Sequence, residues 1–173
     1  YLCPAHVSTV IGSDAYQPLA ERFGISSVVT GFEPADILQG VFMLVRQVVT
    51  GRAAVENQYT RAVTRQGNQK ALMLIDQVFQ PCDAVWRGLG LLTGSGLSLR
   101  DSFRCFDAAQ RLPIAVPEAK EPAGCRCGEV LTGRINPSGC PLFGEACTPE
   151  TPVGACMVSS EGSCAAAWRY GMP

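Results

Sequence analysis

The stretch "ISSVVTGFEPADILQGVFMLVRQVVTG", Ile25 to Gly51, carries two hydrophobic periods back to back. Its opening, "ISSVVTGF", is a short apolar run with β-branched residues, the pattern of a buried strand. From Pro34 onward the period changes, and Ile37, Leu38, Val41, Leu44, Val45, Val48 and Val49 recur at helical spacing. Proline suits a first helical turn, where its missing N–H would be unpaired anyway, and Gly51 suits the stop.

The flanks extend this alternation. "STVIGSDAYQPLAERFG" (Ser8–Gly24) predicts a preceding helix, and "AAVENQYTRAV" (Ala53–Val63) half-alternates like a strand. "GNQKALMLIDQVF" predicts a helix with a face of Ala71, Leu72, Leu74, Ile75, Val78 and Phe79, and a further strand is expected near "AVWRGLGLL", Ala84–Leu92. Strands separated by helices imply parallel pairing with right-handed crossovers, hence a layered α/β domain with a parallel sheet. Its ligand edge would be the carboxyl ends of the strands.

The text changes along the chain. Up to about Pro113 it is aliphatic and periodic, and after Glu118 it becomes rich in Gly, Pro, Ser and Cys. This places an α/β domain over residues 1–118 and a small Cys-rich domain over 119–173.

At 173 residues the chain can bury a genuine core without disulfides. Its 14 basic residues nearly balance 15 acidic ones, and neither sign forms a long run, which argues against nucleic acid as a main partner. No window reaches the roughly 18 unbroken apolar residues that a spanning helix requires, so no membrane role is expected. "YLCPAHVSTVIG" lacks the basic leader and cleavage site of a secretory signal, and the first residue is not Met. The expectation is a cytoplasmic protein and part of a longer chain.

Six of the nine cysteines crowd the tail: Cys125, Cys127, Cys140, Cys147, Cys156 and Cys164. Disulfides fit the number but not an intracellular-looking body, where thiols stay reduced unless catalytic or metal-bound. Structural zinc usually announces itself by C-x2-C or H-x3-H pairs. Here a C-x-C is followed by gaps of 12, 6, 8 and 7 residues, and the only histidine is His6. An iron–sulfur cluster accepts thiolates from separated loops, and proline just beyond Cys140 and Cys147 would stiffen such loops and turn backbone amides toward sulfur.

Other motifs fall short. "GLGLLTGSG" lacks the G-x-G-x-x-G spacing, no Walker-type GK[ST] occurs, and Ser159-Ser160-Glu161 has no histidine at hand for a triad. Dinucleotide binding, nucleotide hydrolysis and hydrolase chemistry have no support. "GFEPAD" follows a strand, where an α/β sheet places ligands, but Glu33 and Asp36 also stand at a helix start, where the backbone dipole favours carboxylates whatever their function. His6 precedes a helix and is more ordinarily a packing or capping residue than a ligand.

"GFEPADILQG", "VENQYTRAV", "CRCGEVLTG" and "CPLFGEACTPETPVGACMVSSEGSCAAAWRYG" together closely resemble the HypD family of hydrogenase maturation proteins, along nearly the whole chain. The resemblance implies a scaffold on which the Fe(CN)2CO unit of [NiFe]-hydrogenases is built, transiently held, with HypC and HypE as partners and the hydrogenase large subunit as the indirect recipient. It implies an α/β domain followed by a small [4Fe-4S] domain. The cluster ligands it implies are Cys125, Cys140, Cys147 and Cys164, with Cys127 and Cys156 as a possible redox pair. It also implies that His6, Gly31, Phe32, Glu33, Pro34 and Asp36 line a cleft.

Two departures stand out. Ala167 and Trp168 occupy positions where the family usually shows a tyrosine pair, and the family's Cys-Gly-x-His and Gly-Pro-Gly-Cys-Pro-x-Cys motifs do not occur in this sequence. This chain alone is therefore expected not to complete the reaction, and it is expected to be a scaffold with a redox role rather than a stand-alone enzyme. Two rival readings are a cluster-dependent thiol/disulfide oxidoreductase subunit and an α/β domain carrying structural zinc.

Overall fold

The computed structural model describes residues 1–112, 115 and 122–171. By internal contacts the chain divides into two units, Tyr1–Val78 and Phe79–Pro173. The composition boundary near residue 118 lies outside the described residues.

The first unit is a mixed α/β body built around Ser27–Thr30 (β2), all four residues of which are buried. Burial on both faces is the habit of a parallel strand, and here it encloses the polar Ser27 and Thr30 as well as Val28 and Val29. It lies between Leu2–Pro4 (β1) and Val55–Asn57 (β3), parallel to both, in the order β1-β2-β3. The register pairs Cys3 with Val29 and Val29 with Asn57. Cys3, Ala5, Val29 and Val63 form the buried cluster, with Tyr16 and Tyr59 packed against it. The parallel pairing expected from the alternating periods is present here.

The expected helix over Ser8–Gly24 is broken. Ala5–Ile11 (α1) stops at Gly12, a 3-10 turn covers Ser13–Tyr16, and Gln17–Phe23 (α2) ends at Gly24 in the left-handed region. Gly12 has φ 80°, and a β-carbon there would collide with the backbone of Arg65–Gly67. That close approach lets Ser13 and Asp14 donate to the carbonyls of Thr64 and Arg65, and Asn68 to Val10. Inter-loop hydrogen bonds thus replace a turn of helix that local periodicity alone favoured.

Pro34–Val49 (α3) starts at the expected proline, and Gly51 follows its end with φ 63°. The expected apolar face is not the one it buries. Asp36, Gly40 and Gln47 are buried, whereas Leu38, Val45, Val48 and Val49 are exposed by 54–80%. A β-carbon on Gly40 would stand 3.2 Å from both Leu2 Cδ2 and Thr30 Cβ. The missing side chain lets the helix lie close on the strands, and Gln47 is spent on Glu56 and the Ala54 amide at 2.8 and 3.1 Å. Gln69–Val78 (α4) half-buries Ala71, Leu72, Ile75 and Val78, while Leu74 is 46% exposed.

In the second unit the expected strand near Ala84–Leu92 is a hairpin. Phe79–Trp86 (β4) and Gly90–Leu99 (β5) pair antiparallel across a tight turn containing Gly88, φ 83°. Antiparallel strands can be joined by so short a connection and parallel ones cannot. After a 3-10 turn at Asp101–Phe106 and Ala108–Arg111 (α5), the Cys-rich segment folds as short helices: Cys127–Leu131 (α6), Ala155–Val158 (α7) and Ser163–Tyr170 (α8). Its core is Cys127, Val130, Cys147, Cys156, Met157, Cys164 and Ala165. Among the described residues no helix is long and apolar enough to cross a membrane.

The break after α1 depends on a backbone that only glycine adopts without strain. Gly12→Ala should therefore lower stability by about 2 kcal/mol. The check is the chemical-denaturation midpoint at an unchanged slope.

Candidate functional site

Two groups of residues carry the chemistry, one in each unit. In the first unit the carboxyl ends of three parallel strands run into loops at one edge. α1 follows β1 directly, the Gly31–Glu33 loop follows β2, and Gln58–Ala62 follows β3. A cavity of about 520 Å3 lies among them, lined by Ala5, His6, Thr9, Gly31, Phe32, Glu33, Tyr59 and Ala62. This is the edge at which open α/β sheets bind ligands.

His6, Gly31, Phe32 and Glu33 line this cavity, whereas Pro34 and Asp36 are not among its lining residues. The His6 ring stacks on Phe32, with centroids 5.3 Å apart. Pro34 occupies the first turn of α3, and Glu33 stands at the helix cap position without a side-chain capping bond. Asp36 is buried and accepts from Arg61 Nη1 at 3.1 Å, Arg61 Nη2 at 2.6 Å and Gln58 Nε2 at 2.8 Å. The Arg61 guanidinium, with Glu33 and Gln58 adding to it, holds the Asp36 carboxyl well below the usual carboxylate range. Thr30 Oγ1 donates to the Asp36 carbonyl at 2.9 Å, tying the helix start to the end of β2.

Sequence reasoning missed Thr9, Tyr59 and Arg61. The available signal was positional: "NQYTR" follows the third strand as "GFEP" follows the second. Asn57, at the same edge, donates to the Val63 carbonyl at 2.8 Å, and its Oδ1 is the one buried side-chain oxygen or nitrogen among the described residues without a hydrogen bond.

In the second unit the six tail thiols are gathered together. Cys127, Cys140, Cys147, Cys156 and Cys164 are 4–7% exposed, and Cys125 is half-buried. The short helices explain the gathering. Cys127 opens α6, Cys156 sits on α7 and Cys164 on α8, while Cys140 and Cys147 flank a tight turn in which the Cys147 amide donates to the Leu142 carbonyl at 2.8 Å. Cys156 Sγ lies 3.0 Å from Cys164 Sγ and is also hydrogen-bonded to Cys127. The Val153 amide donates to Cys147 Sγ at 3.3 Å. A β-carbon on Gly154 would stand 2.6 Å from Cys125 Sγ, so the chain leaves that volume to the sulfur. Trp168 packs edge-on against Phe143, with centroids 6.2 Å apart, and Phe143 in turn packs on the thiol core.

All nine cysteines are free thiols. Burial raises the Cys125 and Cys164 thiols, and for both the neighbouring Cys127, Cys140 and Cys147 add to the shift. Burial pushes Cys156 up to about 11, with Cys164 adding to it. Cys125, Cys156 and Cys164 are thus favoured as neutral thiols, because thiolates there would be both desolvated and repelled by the neighbouring sulfurs. Among the described residues no three His, Cys, Asp or Glu side chains are arranged to hold a single metal ion. As a donor set, all-sulfur, apolar-walled and touched by a backbone amide, the core suits an iron–sulfur group.

Two measurements check these sites. In the reduced protein at about pH 8, alkylation should reach exposed Cys105 and half-buried Cys125 before the other tail thiols and Cys156 last, since only accessible thiolate reacts. Mass spectrometry of timed digests reads the order, and Cys156 should catch up only as pH approaches 11. At the other site, the stability contributed by the paired Asp36 carboxylate is present above its unfolded value of about 4 and is lost as pH falls through and below it. Asp36→Asn should therefore destabilise the protein at neutral pH and flatten the acid side of its stability profile.

The HypD family model, described as "Hydrogenase formation hypA family", matches residues 1–171. The chain is 53% identical over 171 residues to hydrogenase maturation factor HypD1 of Bradyrhizobium diazoefficiens, covering 98% of this chain and 45% of that protein. It is 50% identical over 172 residues to hydrogenase maturation factor HypD of Azotobacter vinelandii, covering 99% and 45%. A putative hydrogenase expression/formation protein of Methanocaldococcus jannaschii is 43% identical over 170 residues, covering 98% and 48%. The chain spans about half the length of these curated relatives. With a family match over nearly all its residues and both motif-bearing sites folded, this chain belongs to the HypD family.

Proposed function

We propose that this chain serves in building the Fe(CN)2CO unit of [NiFe]-hydrogenases, as a scaffold acting with HypC and HypE in the cytoplasm, the hydrogenase large subunit being the eventual recipient. The observation that carries this reading is the gathering of Cys125, Cys127, Cys147, Cys156 and Cys164 in one core of a HypD-family chain, with buried Cys140 beside it. In this reading residues 119–173 form the cluster domain. Cys125, Cys140, Cys147 and Cys164 hold a [4Fe-4S] cluster, which supplies one-electron transfer when bound.

Cys127 and Cys156 form the neighbouring dithiol. Their hydrogen bond supports that pairing, and the contact of Cys156 with Cys164 sets the dithiol beside a cluster ligand. The cavity at the strand ends supplies the wall against which the iron–diatomic substrate rests. Phe32 and Tyr59 keep that wall largely apolar, and His6 and Glu33 bring polar groups to it.

The dithiol also favours a second reading, a cluster-dependent thiol/disulfide oxidoreductase subunit. The two diverge in one comparison. Anaerobic reconstitution with iron and sulfide should give about four of each per chain. Serine at Cys125, Cys140, Cys147 or Cys164 should abolish or deplete the cluster. Serine at Cys127 or Cys156 should leave the cluster and stop hydrogenase maturation. Retained maturation with lost disulfide-reductase activity favours the oxidoreductase, and bound zinc without sulfide defeats both.

A further inference from the structure

Arg61 is not among the residues lining the strand-end cavity, yet it touches two that are, and a buried carboxylate beside them. Its guanidinium takes both oxygens of buried Asp36 in a fork, lies 4.0 Å from the centre of the Tyr59 ring, and pairs with Glu33 Oε2 at 3.2 Å. Tyr59 and Glu33 are cavity-lining residues on different loops, one following β3 and one following β2. Asp36 is only 8% exposed in its side chain, whereas Glu33 is 60% exposed. The fork is therefore anchored at its buried end and presents its remaining capacity at the cavity rim.

The loop between them has no slack. A β-carbon on Gly31 would collide with the Asp36 carboxylate and stand 2.5 Å from Tyr59 Cε2, so the Gly31 backbone lies directly on both.

We propose that Arg61 is a positioning residue: anchored on Asp36, it fixes the Tyr59 ring and holds the Glu33 carboxylate in one place at the mouth of the cavity. This deepens the reading of that cavity as the wall for the iron–diatomic substrate and rests on it. A guanidinium is suited to the task because it can hold two carboxylates in its plane while its face lies on an aromatic ring. An ammonium keeps the charge but loses the fork. Arg61→Lys should accordingly keep Asp36 paired and the protein folded, yet release Glu33.

The test uses the holo-protein purified with its assembly partners, read by infrared absorption of iron-bound CO and cyanide and by hydrogenase maturation. Arg61→Lys and Arg61→Gln should shift the diatomic bands in the direction that Glu33→Gln shifts them, and slow maturation about tenfold. The double variant Arg61→Gln with Glu33→Gln should be no worse than Glu33→Gln alone, because an effect exerted through Glu33 vanishes once Glu33 is neutral.

Should Arg61→Gln fail to fold, Arg61→Lys carries the test. Wild-type bands and rate in a folded Arg61→Lys protein overturn the proposal. So does an Arg61→Gln effect of undiminished size in the Glu33→Gln background, which marks a purely structural role. Wild-type protein without diatomic bands overturns the cavity's assignment itself, and the positioning role with it.

Discussion

A strand buried on both faces must find partners for its backbone on both sides, and in this chain that requirement is met by β1 and β3 lying parallel to β2. Parallel alignment has a consequence that antiparallel pairing lacks: every strand ends at the same edge. Three loops of otherwise unrelated sequence are thereby brought together, and the residues that follow Pro4, Thr30 and Asn57 become neighbours. The cavity beside His6 follows from this topology. The side chains that fill its rim are chemically diverse because each loop contributes its own, while the sheet beneath sets their placement.

The Cys-rich segment meets the opposite difficulty. Its helices are only four to eight residues long, too short to be stable by themselves. Sulfur takes the place of aliphatic carbon in holding them together. A protonated thiol behaves as a small hydrophobe, and the raised Cys125, Cys156 and Cys164 thiols show that the core favours that form. The same thiols would have to lose protons to bind metal, so any metal uptake here is coupled to proton release and to repacking of the core that holds the segment together.

What the sequence made legible was what its periods encode. The buried run at Ser27–Thr30, the start of α3 at Pro34 and the helix over Gln69–Val78 were all readable because each is a local pattern of size and polarity. Which face of α3 meets the sheet was not. Gly40 and Gln47 are buried for close approach and for hydrogen bonding, and neither reason leaves a hydrophobic mark. Periodicity shows which residues share a face, and says nothing of what that face meets. The break at Gly12 and the pairing of Arg61 with Asp36 were illegible for a related reason, since both depend on residues far along the chain. The thiol gathering was legible as a motif, but the 3.0 Å approach of Cys156 to Cys164 was not, because it depends on how α7 meets α8.

The two carboxylates of "GFEPAD" show why residue type alone leaves a role open. Both stand near the start of α3, where the helix dipole favours negative charge, and on that ground they are equivalent. Burial separates them. Asp36 is enclosed, and an enclosed carboxylate is tolerated only when its oxygens are taken, which Arg61 and Gln58 do. That leaves it chemically inert. Glu33 remains at the cavity rim, exposed, and shares Nη2 of the same guanidinium with Asp36. One arginine thus holds both acids, the buried one by a fork and the one at the rim by a single ion pair.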